Sequence, residues 1–183
     1  MRSIDKGRLA GTFGKIDEYE EYYTLYGRPL VKEAVGDLDD KIRDVKNYLQ
    51  QCRNLDIEFD SNSLQRIIVD ISTCMYYTRE KLSKLQLNSE MASATYKNAV
   101  NEAYLNKQGQ HDAGTKYSVK QLMAFSETDA LEEGLVDLIY SRATKEVEAK
   151  LDDAENIYKA CSKALSATIN EARLFNSSER YTT

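Results

Sequence analysis

Tryptophan is absent from this 183-residue chain, proline and histidine occur once each, cysteine three times and glycine eight times. Scarce Pro and Gly remove the two residues that most often interrupt helices, and 30% charged side chains complete a helical composition. Three cysteines are too few for a secreted disulfide scaffold. A membrane span needs about 20 continuous apolar residues, and no such run is present. Residues 1–15 lack the apolar stretch of a signal peptide. The lone His111 has no second histidine to build a zinc site or an orienting constellation with, and no phosphate-binding loop, nucleophile elbow or paired Cys-x-x-Cys occurs. These absences lead to the expectation of a soluble, cytoplasmic, all-α protein that is no enzyme and takes no cofactor, metal or membrane.

What is present is periodicity. Tyr19, Tyr22, Tyr23 and Tyr26 recur at i, i+3, i+4 and i+7, which predicts a helix over about 13–26 with the tyrosines on one face and acidic residues elsewhere. Gly27 is expected to stop it, and Pro29 to open the next helix, where its missing N–H costs nothing. Val31, Val35, Leu38, Ile42, Val45, Leu49 and Cys52 then step by four and three, a heptad seam. Residues 54–63 are turn-like, with Ser61, Asn62 and Ser63 as capping candidates.

A third helix is expected from there to about Lys107. Its seam runs through Leu64, Ile68, Ile71, Met75, Thr78, Leu82, Leu85, Ser89, Ala92, Tyr96, Ala99 and Ala103, with small residues dominating its second half. Residues 106–117 read as a loop. Ser118 and Gln121 form a capping box for a short helix. The last helix is expected over about 127–175, along Leu135, Ile139, Ala143, Val147 and Leu151, then Ala154, Tyr158, Cys161, Leu165, Thr168, Ala172 and Phe175. Its steps change from four to alternating three and four, which locally unwinds a supercoil.

The architecture that follows is a long antiparallel, coiled-coil-like helical hairpin over 61–176. A separate N-terminal helical region is expected over 1–60 and a fraying tail over 177–183. One hairpin leaves an apolar stripe that the N-terminal helices or other copies must cover, so a homo-oligomer is expected, with Leu151, Tyr158, Cys161, Leu165 and Phe175 at its seam.

Charge is uneven. Residues 61–120 carry 8 basic and 5 acidic side chains, whereas 121–155 carry 3 and 10. Two basic groups sit beside aromatics: Arg79, Lys81 and Lys84 near Tyr76 and Tyr77, and Lys107, Lys116 and Lys120 near Tyr104 and Tyr117. Ammonium groups that meet phosphates and rings that stack bases are the means of holding a single strand; the plainer reading is solvated helix and loop surface. The acidic group Glu127, Asp129, Glu132, Glu133 and Asp137 reads as a solubilising face, and the tyrosine stripe as packing.

The order of parts over about residues 75–176 resembles the bacteriophage recombination mediators of the UvsY type. The resemblance lies in a long helix ending Ala103-Tyr104-Leu105, a polar loop leading to Ser118-Val119-Lys120-Gln121-Leu122, and a final helix. That helix carries Cys161-Ser162-Lys163-Ala164-Leu165 and Ala172-Arg173-Leu174-Phe175-Asn176. The resemblance implies a small helical oligomer, in the bacterial host cytoplasm, that binds single-stranded DNA and helps load a recombinase onto strands covered by a single-strand-binding protein. Lys107, Lys116 and Lys120 would hold phosphates, and the final helix would assemble the oligomer. The net charge of −5 and the first 60 residues depart from that pattern. The competing reading is a helical interaction protein: a coiled-coil adaptor, a virion component or an acidic inhibitor of a host protein.

Overall fold

The structure is a computed structural model in which residues 6–55, 60–112 and 117–179 are described. It is all-α. The helices are α1 (Lys6–Tyr22), a π-helical turn (Tyr23–Gly27), α2 (Arg28–Leu55), α3 (Ser61–Asp112), α4 (Val119–Asp129) and α5 (Leu131–Glu179). No strand occurs among the described residues, and none of their helices is long and apolar enough to cross a membrane.

The chain divides into two compact units, and the division cuts the long helices rather than falling near residue 60. One comprises Met1–Lys32 with Ser83–Glu146, the other Glu33–Leu82 with Val147–Thr183.

The second unit is a three-helix bundle of α2, the first half of α3 and the second half of α5. Its core joins the three seams: Leu38, Ile42 and Val45 from α2, Leu64, Ile71 and Met75 from α3, and Leu151, Ala154 and Cys161 from α5, all buried. The heptad spacing puts these side chains on one face of each helix, and burying that face is what holds the bundle. Ion pairs mark the directions. Lys41 pairs with Asp70 at 3.1 Å and Lys81 donates to the Glu33 carbonyl at 2.8 Å, so α2 and α3 are antiparallel. Asp39 with Lys150 (2.6 Å) and Asp153 with Lys46 (3.4 Å) make α2 and α5 parallel. Half-exposed pairs of this kind contribute little energy and chiefly fix register. Of the two covers expected for the α3–α5 seam, the N-terminal helices or other copies, the first is present along this unit: α2 of the same chain lies on it.

The start of α3 is capped by Asp60 rather than by the serines. Its carboxylate accepts from the Ser63 backbone N–H at 2.8 Å and from the Ser63 hydroxyl at 2.7 Å. These bonds hold the Asp60 carboxyl below its ordinary range.

The other unit contains α1, the π turn, α4, the second half of α3 and the first half of α5. Gly27 does not stop α1. The helical path continues through a π turn, in which the Arg28 N–H donates to the Tyr23 carbonyl, five residues back. Pro29 gives the physical reason: inside a regular α path its ring would clash with the carbonyl four residues back, and one widened turn relieves this. Gly27 is needed for a different purpose. A Cβ there would fall far inside contact with Cδ2 and Cε2 of the Tyr23 ring, which lies directly on the glycine.

The tyrosine stripe is split rather than shared. Tyr23 is buried, its hydroxyl donating to Glu146 at 2.5 Å, and Tyr19 lies 6.3 Å from it, ring to ring. Arg142 stands 4.0 Å from the Tyr23 ring and pairs with Glu20. Burial, then the Glu146 bond, pushes the Tyr23 hydroxyl well above its ordinary value, and the Glu20 bond raises Arg142 likewise. Tyr22 and Tyr26 stay exposed. Gly134, in the first turns of α5, lets the Tyr96 ring approach, since a Cβ there would lie 3.1 Å from Cε2.

Three boundaries differ from expectation. α3 runs on to Asp112 instead of ending at Lys107, through Gly109, which costs about 1 kcal/mol in a helix relative to Ala. Ser126–Asp129 close α4 instead of opening α5, because the Ser126 hydroxyl is buried and bonded to the Leu122 carbonyl at 2.8 Å. Residues 177–179, expected to fray, are the last turn of α5.

Candidate nucleic-acid interface

The basic residues on α3 and α4 fall into two places, and the structure treats them differently. On α3, Arg79 is ion-paired with Glu155, which also takes Lys159 at 3.5 Å. Lys81 is bonded to the Glu33 carbonyl. Lys84 is exposed and has interactions of its own. Tyr76 and Tyr77 beside them are exposed, packed edge to face at 5.6 Å. Arg79 and Lys81 are thus engaged within the bundle, whereas Lys84, Tyr76 and Tyr77 are exposed.

Near the end of α3 two of the sequence-derived residues, Lys107 and Tyr117, come together on Phe125. The box that starts α4 is formed in full: Ser118 Oγ accepts from the Gln121 N–H at 3.3 Å, and Gln121 Oε1 accepts from the Ser118 N–H at 3.0 Å. It fixes Tyr117 just before the helix and Lys120 in its exposed first turn. From there Tyr117 packs edge to face on Phe125, with ring centres 5.4 Å apart and planes at 74°. Lys107, reaching across from α3, places its ammonium 6.0 Å from the Phe125 ring centre and 3.1 Å from Asp129. Tyr104, one turn before Lys107, is half-buried. Lys116 and the side chain of His111 lie outside the described residues.

Phe125 and Asp129 were not legible as parts of this group. The signal lay in the buried face of α4, which runs Leu122, Ser126, Ala130 at fourfold spacing and so turns Phe125 outward, 42% exposed. The arrangement offers an ammonium, a second lysine in the first turn of a helix whose dipole favours anions there, and two aromatic rings. One carboxylate competes for the first lysine. Chemically it suits a phosphate with an adjacent base, and nothing in it resembles a nucleophile–base pair. Among the described residues, no group of three or more His, Cys, Asp or Glu is placed to hold a metal ion.

Three of the residues expected at an oligomer seam are packed inside one chain. Leu151 and Cys161 are in the bundle core and Leu165 packs against it, whereas Tyr158 is 36% exposed; the side chain of Phe175 lies outside the described residues. Burial of Leu151 and Cys161 is therefore met by α2 and α3, without a second copy. Burial also pushes the Cys161 thiol above its ordinary range.

No family model, curated protein or solved structure matches the chain.

Proposed function

We propose that the chain is a non-catalytic, single-stranded-DNA-binding accessory protein of recombination, acting through backbone phosphates. The observation that supports this most is the convergence of Lys107, Tyr117 and Phe125, with Lys120 in the first turn of α4. In this reading Lys120 meets a phosphate, Lys107 exchanges Asp129 for a second phosphate, and a base lies on the exposed part of Phe125. Asp129 then acts as a brake, since the strand must displace it. Self-association, a recombinase and a single-strand-binding protein are the partners the resemblance adds to the proposal.

Fluorescence anisotropy with a labelled oligothymidine, at about 50 and 200 mM salt, tests it. Binding should be micromolar or tighter at low salt and fall steeply at high salt, with a log–log slope of about −0.7 for each phosphate neutralised. Lys107→Ala with Lys120→Ala should abolish it, and Asp129→Asn should tighten it. Absence of binding at low salt, or affinity unchanged by the lysine pair, overturns the reading.

A second reading, a helical interaction protein, is favoured by one observation. The Arg79 and Lys81 side chains are engaged within the chain, and segments 17–26 and 131–140 carry seven acidic residues, which suit a basic protein partner rather than DNA.

A further inference from the structure

The exposed half of the tyrosine stripe lines a groove. Tyr22, Tyr26 and Leu30 form one wall, and Leu135, Val136 and Ile139 form the other along the first turns of α5, enclosing about 530 Å³. This is within the range of about 300–1,000 Å³ usual for binding clefts. Ile139 is buried at its floor, whereas Tyr26 is 56% and Val136 45% exposed, so large apolar side chains face water along its walls. The lining is apolar except for Glu132 and the phenol groups of Tyr22, Tyr26 and Tyr140. A small polar ligand would find few convergent hydrogen-bonding groups.

The charge around the groove is predominantly negative. The two helical segments that form it, 17–30 and 131–140, carry seven acidic residues and one basic one, Arg28. Asp17, Glu20 and Glu21 also line an adjoining notch with Thr24 and Leu25, and Leu25 is 62% exposed. Glu20 is engaged by Arg142, and Glu132 lies in the groove itself. Such a surface repels phosphate and anionic lipid. It attracts an occupant with apolar anchors and positive flanks, and tyrosine faces add cation–π contact to Lys or Arg.

We propose that this groove takes a cationic amphipathic helix of another protein, its apolar residues at i, i+3, i+4 and i+7 seated between Tyr22/Tyr26 and Val136/Ile139 and its Lys or Arg residues meeting the acidic margins. This inference does not depend on the DNA reading, which concerns the Lys107–Phe125 site.

The test uses the full chain and two labelled synthetic peptides of about 18 residues, roughly five helical turns. One is a leucine–lysine amphipathic helix, the other its leucine–glutamate twin, and binding is read by anisotropy at physiological salt. The leucine–lysine helix should bind with micromolar affinity and the twin at least tenfold more weakly. Val136→Lys and Tyr26→Ala, both at exposed positions and checked for unchanged helicity by circular dichroism, should each weaken binding about tenfold, and Glu132→Gln about threefold. Lys107→Ala with Lys120→Ala should leave it unaltered, which separates this site from the DNA proposal. Absence of binding, equal binding of the two peptides, or affinity unchanged in both Val136→Lys and Tyr26→Ala overturns the inference. So does a dimer by sedimentation that Val136→Lys dissolves, since a second copy would then occupy the groove.

Discussion

The two units solve the same problem, burying one face of each helix, with different chemistry. The bundle of 33–82 and 147–179 is built from aliphatic residues at heptad spacing. Leu64, Ile71 and Leu38 are almost wholly buried, and each is one of many similar contacts. The other unit relies on a few specific arrangements: the Tyr23 ring on Gly27, its bond to Glu146, Arg142 over the ring, and Tyr96 against Gly134. Its stretch of α3 supplies small residues, Ala92, Ala99 and Ala103, where the bundle supplies Leu and Ile. Distributed apolar packing yields stability that tolerates adjustment. A structure resting on single contacts is more sensitive to particular atoms.

The largest effect should come from the bundle. Ile71→Ala removes a fully buried side chain at the junction of three seams and should cost about 2–5 kcal/mol. Urea unfolding followed by circular dichroism measures the loss. Hydrogen exchange should show it concentrated in α2 and the first half of α3, and a uniform loss over both units would mean that they unfold as one.

Gly27→Ala should follow, at about 1–3 kcal/mol, because the new methyl must push the Tyr23 ring aside. Combining it with Tyr23→Ala should cost less than the sum of the two single changes, since the clash is then gone. A strictly additive double variant would refute the ring-on-glycine arrangement.

Tyr23→Phe should cost about 1.5 kcal/mol, the low end for a bond to a charged acceptor, because Glu146 is open to water and is solvated once abandoned. The hydroxyl's raised pKa means the folded state holds its proton more firmly than the unfolded one. That contribution is whole below the ordinary value of 10.0 and is lost as pH rises above it. The stability gap between the wild type and Tyr23→Phe should therefore shrink in alkali.

The smallest effect is expected at Asp60→Ala. Its carboxyl is held below the usual range, so its contribution is present at neutral pH and fades as pH falls through the acid range. A small drop in melting temperature at pH 7 that disappears in acid is the expected result.

Much of the bundle was legible because burial has a period. The 4-3 steps from Val31 to Cys52 and from Leu64 to Met75 named residues that the structure buries or half-buries, and the Ser118–Gln121 box formed as read. The candidate DNA site was half legible. Lys107, Lys120 and Tyr117 were visible as lysines beside an aromatic, but Phe125 and Asp129 become their neighbours only when α4 is laid against the end of α3. Likewise nothing in the spacing of Tyr19, Tyr22, Tyr23 and Tyr26 divides them into an inward and an outward pair. The π turn ahead of Pro29 and the approach of α5 do that.

The amino-acid sequence by itself determined that this chain is helical, which faces of α2, α3 and α5 are apolar, and where α4 begins. Each of these depends on residues within a few turns of one another. The tertiary structure alone decided that α2 covers the α3–α5 seam, that Gly27 supports a ring instead of ending a helix, and that an acid-rimmed apolar groove remains open. The seam joins residues as far apart as Asp39 and Lys150, and the Tyr23 ring that lies on its near neighbour Gly27 is bonded to Glu146, 123 positions away; local periodicity carries no record of which distant face a helix will meet.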